Sequence, residues 1–175
     1  ISRMSMYPMS LFESLESNGS ISLHRLFDDP EYDIDGEMSQ LSIEQLIFAA
    51  CRGGWPASLD EMSRDAKLLI AKDYVDVICN EDISRVDKTR RNPALARLIL
   101  RSYARNICTL AKKTSMLADV SEEMEGTSMP TFDDYVGALE KLFVIDDIEA
   151  WSPAIRSKTV IRTGKKRCFV DPSIA

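Results

Sequence analysis

The chain has 175 residues, 45% of them hydrophobic and 29% charged, with a formal net charge of −6. Surface scaling at that length allows one ordinary domain or two small ones, burying roughly 70% of the extended chain's area. Disordered, collagen-like and disulfide-scaffold classes are excluded, and no apolar run reaches the roughly 18 residues a membrane span needs.

The charge is divided unevenly. Residues 1–84 carry six basic and sixteen acidic side chains, a balance of −10, whereas residues 85–175 carry sixteen basic and twelve acidic, a balance of +4. This predicts two units, 1–84 and 85–175, of which only the second approaches a polyanion without strong repulsion. The chain opens at Ile1 and runs into Met4, Met6, Tyr7 and Pro8 with no leader pattern, which reads as a segment from within a longer protein.

His24, the sole histidine, has Ser20, Ser22 and Asp28 nearby, but no nucleophile-elbow pattern accompanies it, so it reads as an ordinary histidine. Residues 28–37 hold six acids, a Pro and a Gly without periodicity, an exposed loop. Aligned to a calcium-loop template, Glu31, Asp33, Asp35 and Gly36 fit. The position that needs a bidentate Glu falls on Ser42, and calcium is set aside.

Ser42-Ile43-Glu44-Gln45 is a capping box that predicts a helix through Leu46, Ile47, Ala49 and Ala50, ended by Gly53-Gly54. Gly53, Gly54, Trp55 and Pro56 then form a turn that either caps the helix with Trp55 in the core or presents Trp55 to another domain. A second capping box, Ser58 to Glu61, predicts a long amphipathic helix through Leu59, Met62, Ala66, Leu69, Ile70, Tyr74, Val77 and Ile78.

Asn92-Pro93 is an N-cap and first-turn pair for a helix of about eighteen residues, with Leu95, Leu98, Ile99, Ser102, Tyr103, Ile107 and Leu110 on one face. Arg97, Arg101 and Arg105 form a stripe on the other side, with Arg90 and Arg91 before it, suited to phosphate or an acidic partner, or to a solvated face paired with acids. A short helix over 114–124, a turn, and a helix from Thr131 through Phe132, Tyr135, Val136, Leu139, Leu142 and Phe143 make a helix-turn-helix candidate. Beyond Pro153, Lys158–Arg162 and Arg167–Val170 are β-prone runs about Gly164-Lys165. The expected fold is therefore mainly α: a helical unit followed by a winged helix-turn-helix with a β-hairpin wing.

Two charge arguments bear on nucleic acid. The N-terminal part of the second helix of the pair, Thr131-Phe132-Asp133-Asp134, would drive two carboxylates toward phosphate, which argues against base reading. The wing instead gathers Arg156, Lys158, Arg162, Lys165, Lys166 and Arg167, a phosphate-contacting candidate. Cys51, Cys79, Cys108 and Cys168 lack metal-ligand spacing; Cys51, Cys79 and Cys108 sit in apolar sequence and read as reduced, buried, structural thiols of a cytoplasmic protein.

Several stretches carry a family resemblance, each weak alone but fairly specific in this order. They are Met6-Tyr7-Pro8-Met9-Ser10-Leu11-Phe12-Glu13-Ser14, Gly53-Gly54-Trp55-Pro56-Ala57, Tyr103-Ala104-Arg105-Asn106, Thr131 to Phe143, Trp151-Ser152-Pro153, and Lys166 to Ser173. The chain resembles the central and C-terminal part of prokaryotic P-loop ATPases of the AAA type with an uncharacterised C-terminal region. That resemblance implies a nucleotide site upstream of Ile1, with ATP and magnesium held there, and a restriction-endonuclease-like part downstream of Ala175. It also implies that residues 1–84 are a lid-like unit. The only echo of a phosphate loop here is Gly164-Lys165-Lys166, with no helix after it. The resemblance thus implies a non-catalytic coupling segment without a cofactor of its own. Its expected partners are its ATPase core, the nuclease-like domain or another protein, and no membrane. The alternative is a DNA-binding winged-helix module held by its basic wing.

Overall fold

The computed structural model describes residues 4–60, 63–151 and 164–175. It divides into two compact units, Ile1–Ile70 and Ala71–Ala175. The charge boundary at 84/85 lies inside the second.

In the first unit, α1 (Leu23–Asp28) starts where Ser22 accepts from the Arg25 amide. The acidic loop after it is tethered by Tyr32, whose hydroxyl donates to Ser20 O and whose ring lies 4.0 Å beneath the Arg25 guanidinium. Helix α2 (Ile43–Arg52) begins at the capping box read from the sequence. The Gln45 amide donates to Ser42 Oγ at 3.2 Å and the Ser42 amide to Gln45 Oε1 at 2.8 Å, so two orphan donors are satisfied together. It ends at Gly53, whose φ of 76° and ψ of 177° define a conformation essentially reserved for glycine.

The next helix starts later than Ser58. Pro56–Leu59 forms a 3₁₀ turn, and α3 (Arg64–Val77) is capped by Ser63 Oγ, which accepts from the Ala66 amide at 3.2 Å. Pro56, placed at the first turn, holds the 3₁₀ turn in place of the longer helix. Glu61 and Met62, on which the second capping box depends, lie outside the described residues.

In the second unit, the end of α3 passes through a π-helical turn, Ile78–Asp82, into the short α4 (Ile83–Arg85). Helix α5 (Pro93–Arg105) is capped by Asn92, whose Oδ1 accepts from the Ala94 amide at 2.9 Å, with Pro93 in the first turn. It is shorter than the expected eighteen residues. Asn106 Nδ2 donates back to Ser102 O at 2.8 Å, and Cys108 turns to a left-handed φ of 60°, which stops the helix before Leu110. Helix α6 spans Lys113–Glu123 and α7 spans Met129–Lys141. The latter begins before Thr131 because Ser128 Oγ accepts from the Thr131 amide, making the apparent breaker Ser128-Met129-Pro130 the cap itself.

The core sits on α5, which packs against α6, α7 and the π turn. Leu95, Ala96, Ile99, Leu100 and Tyr103 from α5 meet Met116 and Val120 from α6 and Phe132, Val136 and Leu139 from α7, all buried. Val144, Ile145, Phe169 and Ile174 close this core, with the Phe169 ring centroid 5.9 Å from that of Tyr103.

The winged helix-turn-helix with a β-hairpin wing is not what forms. The described residues contain no β-strand, only isolated antiparallel bridges between Ile145 and Phe169 and between Ile148 and Lys166. Lys166–Val170 pairs with Val144–Ile148: the amides of Asp146, Ile148 and Val170 donate to the carbonyls of Cys168, Lys166 and Val144. Burial decides the partner, because this pairing places Ile145 and Phe169 in the core. The other proposed hairpin arm, Lys158–Arg162, lies outside the described residues.

Candidate interaction surface

Two surfaces follow from where the sequence puts apolar and cationic side chains. The first is on α2. Ile43, Leu46, Ile47 and Ala50 recur at helical spacing and make one apolar stripe, yet all four are exposed: Ile43 by 78%, Leu46 by 50% and Ile47 by 58%. Leu46 also borders a cleft shared with Leu11, Ile21 and Leu41, and further contacts within the unit come from Phe48 and Arg52. Arg52 is buried and forms a fork on Glu16, at 3.1 and 2.8 Å, while its Nε donates to Gly53 O at 3.1 Å. Partial burial opposes ionisation of Glu16, but the bonds from Arg52 and Ser14 outweigh it and hold the carboxyl below its ordinary range. Phe48 lies 4.2 Å beneath the Arg64 guanidinium. Leu23 and Phe27 of α1 are also exposed, and among the described residues of the first unit only Ala49 is a buried hydrophobic side chain.

Gly53, Gly54, Trp55 and Pro56 take distinct parts. Gly53 ends α2 and Pro56 opens the 3₁₀ turn. Gly54 accepts from the Met9 amide at 2.8 Å, and a Cβ on it would stand 2.3 Å from Met9 O, so the close approach needs glycine. Trp55 is half-buried, and its carbonyl accepts from Ser58. The turn thus fastens the Pro8–Met9 segment.

The second surface is cationic in sequence and largely neutralised in structure. Arg97 pairs with Asp76 at 2.6 Å, Arg101 with Glu123 at 3.1 Å, and Arg105 with Asp119 at 3.9 Å. Lys165 pairs with Glu149 at 3.1 Å, which raises the lysine's pKa. Arg167 is not a surface group: it is buried against Asp147, and its Nε donates to Ala111 O at 2.9 Å. Asp147 also accepts from the Cys168 amide and the Tyr103 hydroxyl, and burial followed by the Asp147 charge pushes that phenol's pKa up. Among the described residues Lys166 is exposed and has no salt-bridge partner, while Arg156, Lys158 and Arg162 lie outside them.

The most heavily bonded cation, Arg91, is one of the two arginines that precede the stripe. The Arg91 side chain is 1% exposed and donates to Asp87 through two nitrogens at 2.8 Å, to Asp134 at 3.0 Å and to Ile83 O at 2.6 Å. It joins α4, the loop before α5 and α7. The neighbouring Asn92 amide donates to the Tyr135 hydroxyl at 2.6 Å. The Arg91 bonds hold the Asp87 carboxyl far below the usual carboxylate range and raise the guanidinium in turn. Asp87 and Arg91 stand four apart, a spacing visible in sequence; Asp134, forty-three residues away, gives no local signal.

His24 is a surface side chain 3.1 Å from Asp28, and no group of three or more metal-ligating side chains clusters among the described residues. The cysteines differ from expectation: only Cys79 is buried, Cys51 and Cys108 are exposed, and Cys168 is intermediate. Apolar neighbours in sequence do not bury a thiol at a helix surface or in a turn. No described helix is long and apolar enough to cross a membrane.

Residues 43–175 match the family described as a domain of unknown function, DUF8612, and the chain belongs to that family. No match was found among curated proteins or solved structures.

Proposed function

We propose that this chain is a non-catalytic regulatory and coupling segment of a cytoplasmic AAA-type ATPase, relaying nucleotide state through interdomain or protein contacts. The observation that carries the reading is the bare apolar stripe Ile43, Leu46, Ile47 and Ala50 on a unit whose one buried hydrophobic side chain among the described residues is Ala49. Removing such a stripe from water is worth about 25 cal/mol per Å² of apolar surface, so an apolar partner surface is its natural complement. Two stretches that carry the resemblance to AAA-type ATPases, Met6–Ser14 and Gly53–Ala57, also bond to each other through the Met9 amide and Gly54 O. Nucleotide and magnesium belong, on this reading, to the upstream ATPase core. The segment's part is to occupy two placements of different energy as that core changes state.

The test uses the full-length reading frame. Ile43→Asp with Ile47→Asp leaves the Tm of the isolated segment little changed, because both side chains are mostly exposed. In the full-length protein the same pair changes the ATPase rate and lowers hydrogen-exchange protection of α2. Unchanged rate and unchanged protection defeat the proposal, as does a frame with no phosphate loop upstream. Fluorescence anisotropy with duplex DNA supplies the counter-test. Binding that weakens steeply between low and moderate salt, and disappears with Lys165→Ala and Lys166→Ala, favours a DNA-binding role for the basic C-terminal segment.

A further inference from the structure

The chain between α5 and α6 returns to meet the C-terminal segment in a way that singles out two thiols. The Cys108 amide donates to Arg167 O at 2.8 Å, and the Arg167 amide donates to Thr109 O at 2.9 Å. Two residues therefore face one, and Cys108 has a φ of 60°. This is the hydrogen-bond pattern of a G1-type β-bulge, with Cys108 where glycine is usual, Thr109 second and Arg167 opposite. A bulge re-aims the side chain it carries, and Cys168 is the next residue along the facing segment. Cys108 is near enough to act on the Cys168 thiol and is among the groups that raise its pKa. Cys168 thus stands one residue from the position opposite Cys108, and a disulfide asks for α-carbons about 4.4–6.8 Å apart.

We propose that Cys108 and Cys168 form a reversible dithiol–disulfide site, oxidised by hydrogen peroxide or an organic hydroperoxide, that locks the second unit. Cys108 is the attacking thiol because it is exposed, whereas Cys168 is half-buried. Burial first, and Cys108 second, raise the Cys168 pKa, which suits Cys168 to the later, resolving step. The Cys108 thiolate attacks a peroxide oxygen, the O–O bond breaks, and a sulfenic acid forms with release of water. Cys168 then attacks the sulfenic sulfur; the S–S bond forms, the S–O bond breaks, and a second water leaves. Two thiols are oxidised by two electrons and one hydrogen peroxide becomes two waters. Arg167, between the two, keeps its buried pairing with Asp147 throughout.

The test is brief exposure of the full chain to hydrogen peroxide, followed by intact mass, peptide mapping and melting. The expected product is monomeric and about 2 Da lighter, with the peptides of Cys108 and Cys168 linked, and dithiothreitol restores the original mass. Its Tm rises by about 8 °C or more, because the bridge closes a long loop in the unfolded chain. Cys108→Ser and Cys168→Ser each abolish the linked peptide and the Tm rise, whereas Cys51→Ser and Cys79→Ser leave both. Oxidation that stops at sulfinic acid on Cys108, or that yields only intermolecular Cys51 or Cys108 dimers, overturns the proposal. So does a linked species in the Cys168→Ser variant. None of these readouts depends on the ATPase reading.

Discussion

Replacing Arg91 with methionine deletes five side-chain hydrogen bonds at once and leaves the Asp87 and Asp134 carboxylates facing each other without their shared cation. The expected effect is a lower urea midpoint, by more than the loss of a wholly exposed pair causes, because the guanidinium is buried although its carboxylate partners are partly exposed. The pH dependence carries a definite sign. The folded Asp87 carboxyl is held below its unfolded value, so its stabilisation is complete above about pH 4 and disappears as pH falls through the folded value. Asp87→Asn is therefore less stable than the parent chain at pH 7, and the gap narrows on acidification; a gap that widens below pH 4 contradicts the assignment. Cys108 offers a substitution in the other direction. An L-residue at a φ of 60° costs about 1–2 kcal/mol relative to glycine, part of which glycine returns as extra freedom in the unfolded chain. Cys108→Gly should thus stabilise by about 0.5–1 kcal/mol, and Cys108→Val should destabilise, both read from urea midpoints at constant slope.

At the scale of elements, the chain's local signals and its distant partners separate cleanly. The Ser42 capping box, the Asn92-Pro93 start and the apolar repeat of α7 depend only on neighbours in sequence, and each was readable there. The end of α5 was not, because it depends on the left-handed turn at Cys108 and on a pairing with Arg167 nearly sixty residues later. The β-prone character of Arg167–Val170 was visible, but strand propensity does not name a partner, and the pairing with Val144–Ile148 buries Ile145 and Phe169. The α2 stripe shows the same limit from the other side: periodicity located an apolar face but not whether anything in this chain covers it. Among the cations, the Arg97, Arg101 and Arg105 stripe was legible as a face, whereas the acids that neutralise it come from other helices and from before α4. Gly54→Ala tests a contact belonging to this scale. The new methyl would collide with Met9 backbone, so the Met9 amide should lose its exchange protection while the amides of α5 and α7 keep theirs.

Over the whole molecule, core formation is lopsided, with every buried hydrophobic side chain other than Ala49 drawn from the second unit among the described residues. Local opening free energy follows buried contact. Native-state hydrogen exchange should accordingly find amides of α5 and α7 protected at least roughly 100-fold more than those of α1 and α2. Equal protection would mean that the first unit has a source of stability other than burial. Phe132→Ala, at a fully enclosed site, should cost about 3–5 kcal/mol and lower the protection of the second unit broadly.

The π-helical turn sets the rotational phase of α4. Ile78 and Ile83 are both enclosed although they are five residues apart, and the Ile83 amide bonds to Ile78 O across that wider loop. In a regular α-helix five steps would swing the second isoleucine about 140° away from the first. Excising one exposed residue, Asn80, would re-phase the segment by one helical step, pitting the seat of Ile83 against the reach of Arg91 toward Asp134. One amino acid of surplus length thus works as a rotational spacer on which the assembly of the distal helices depends.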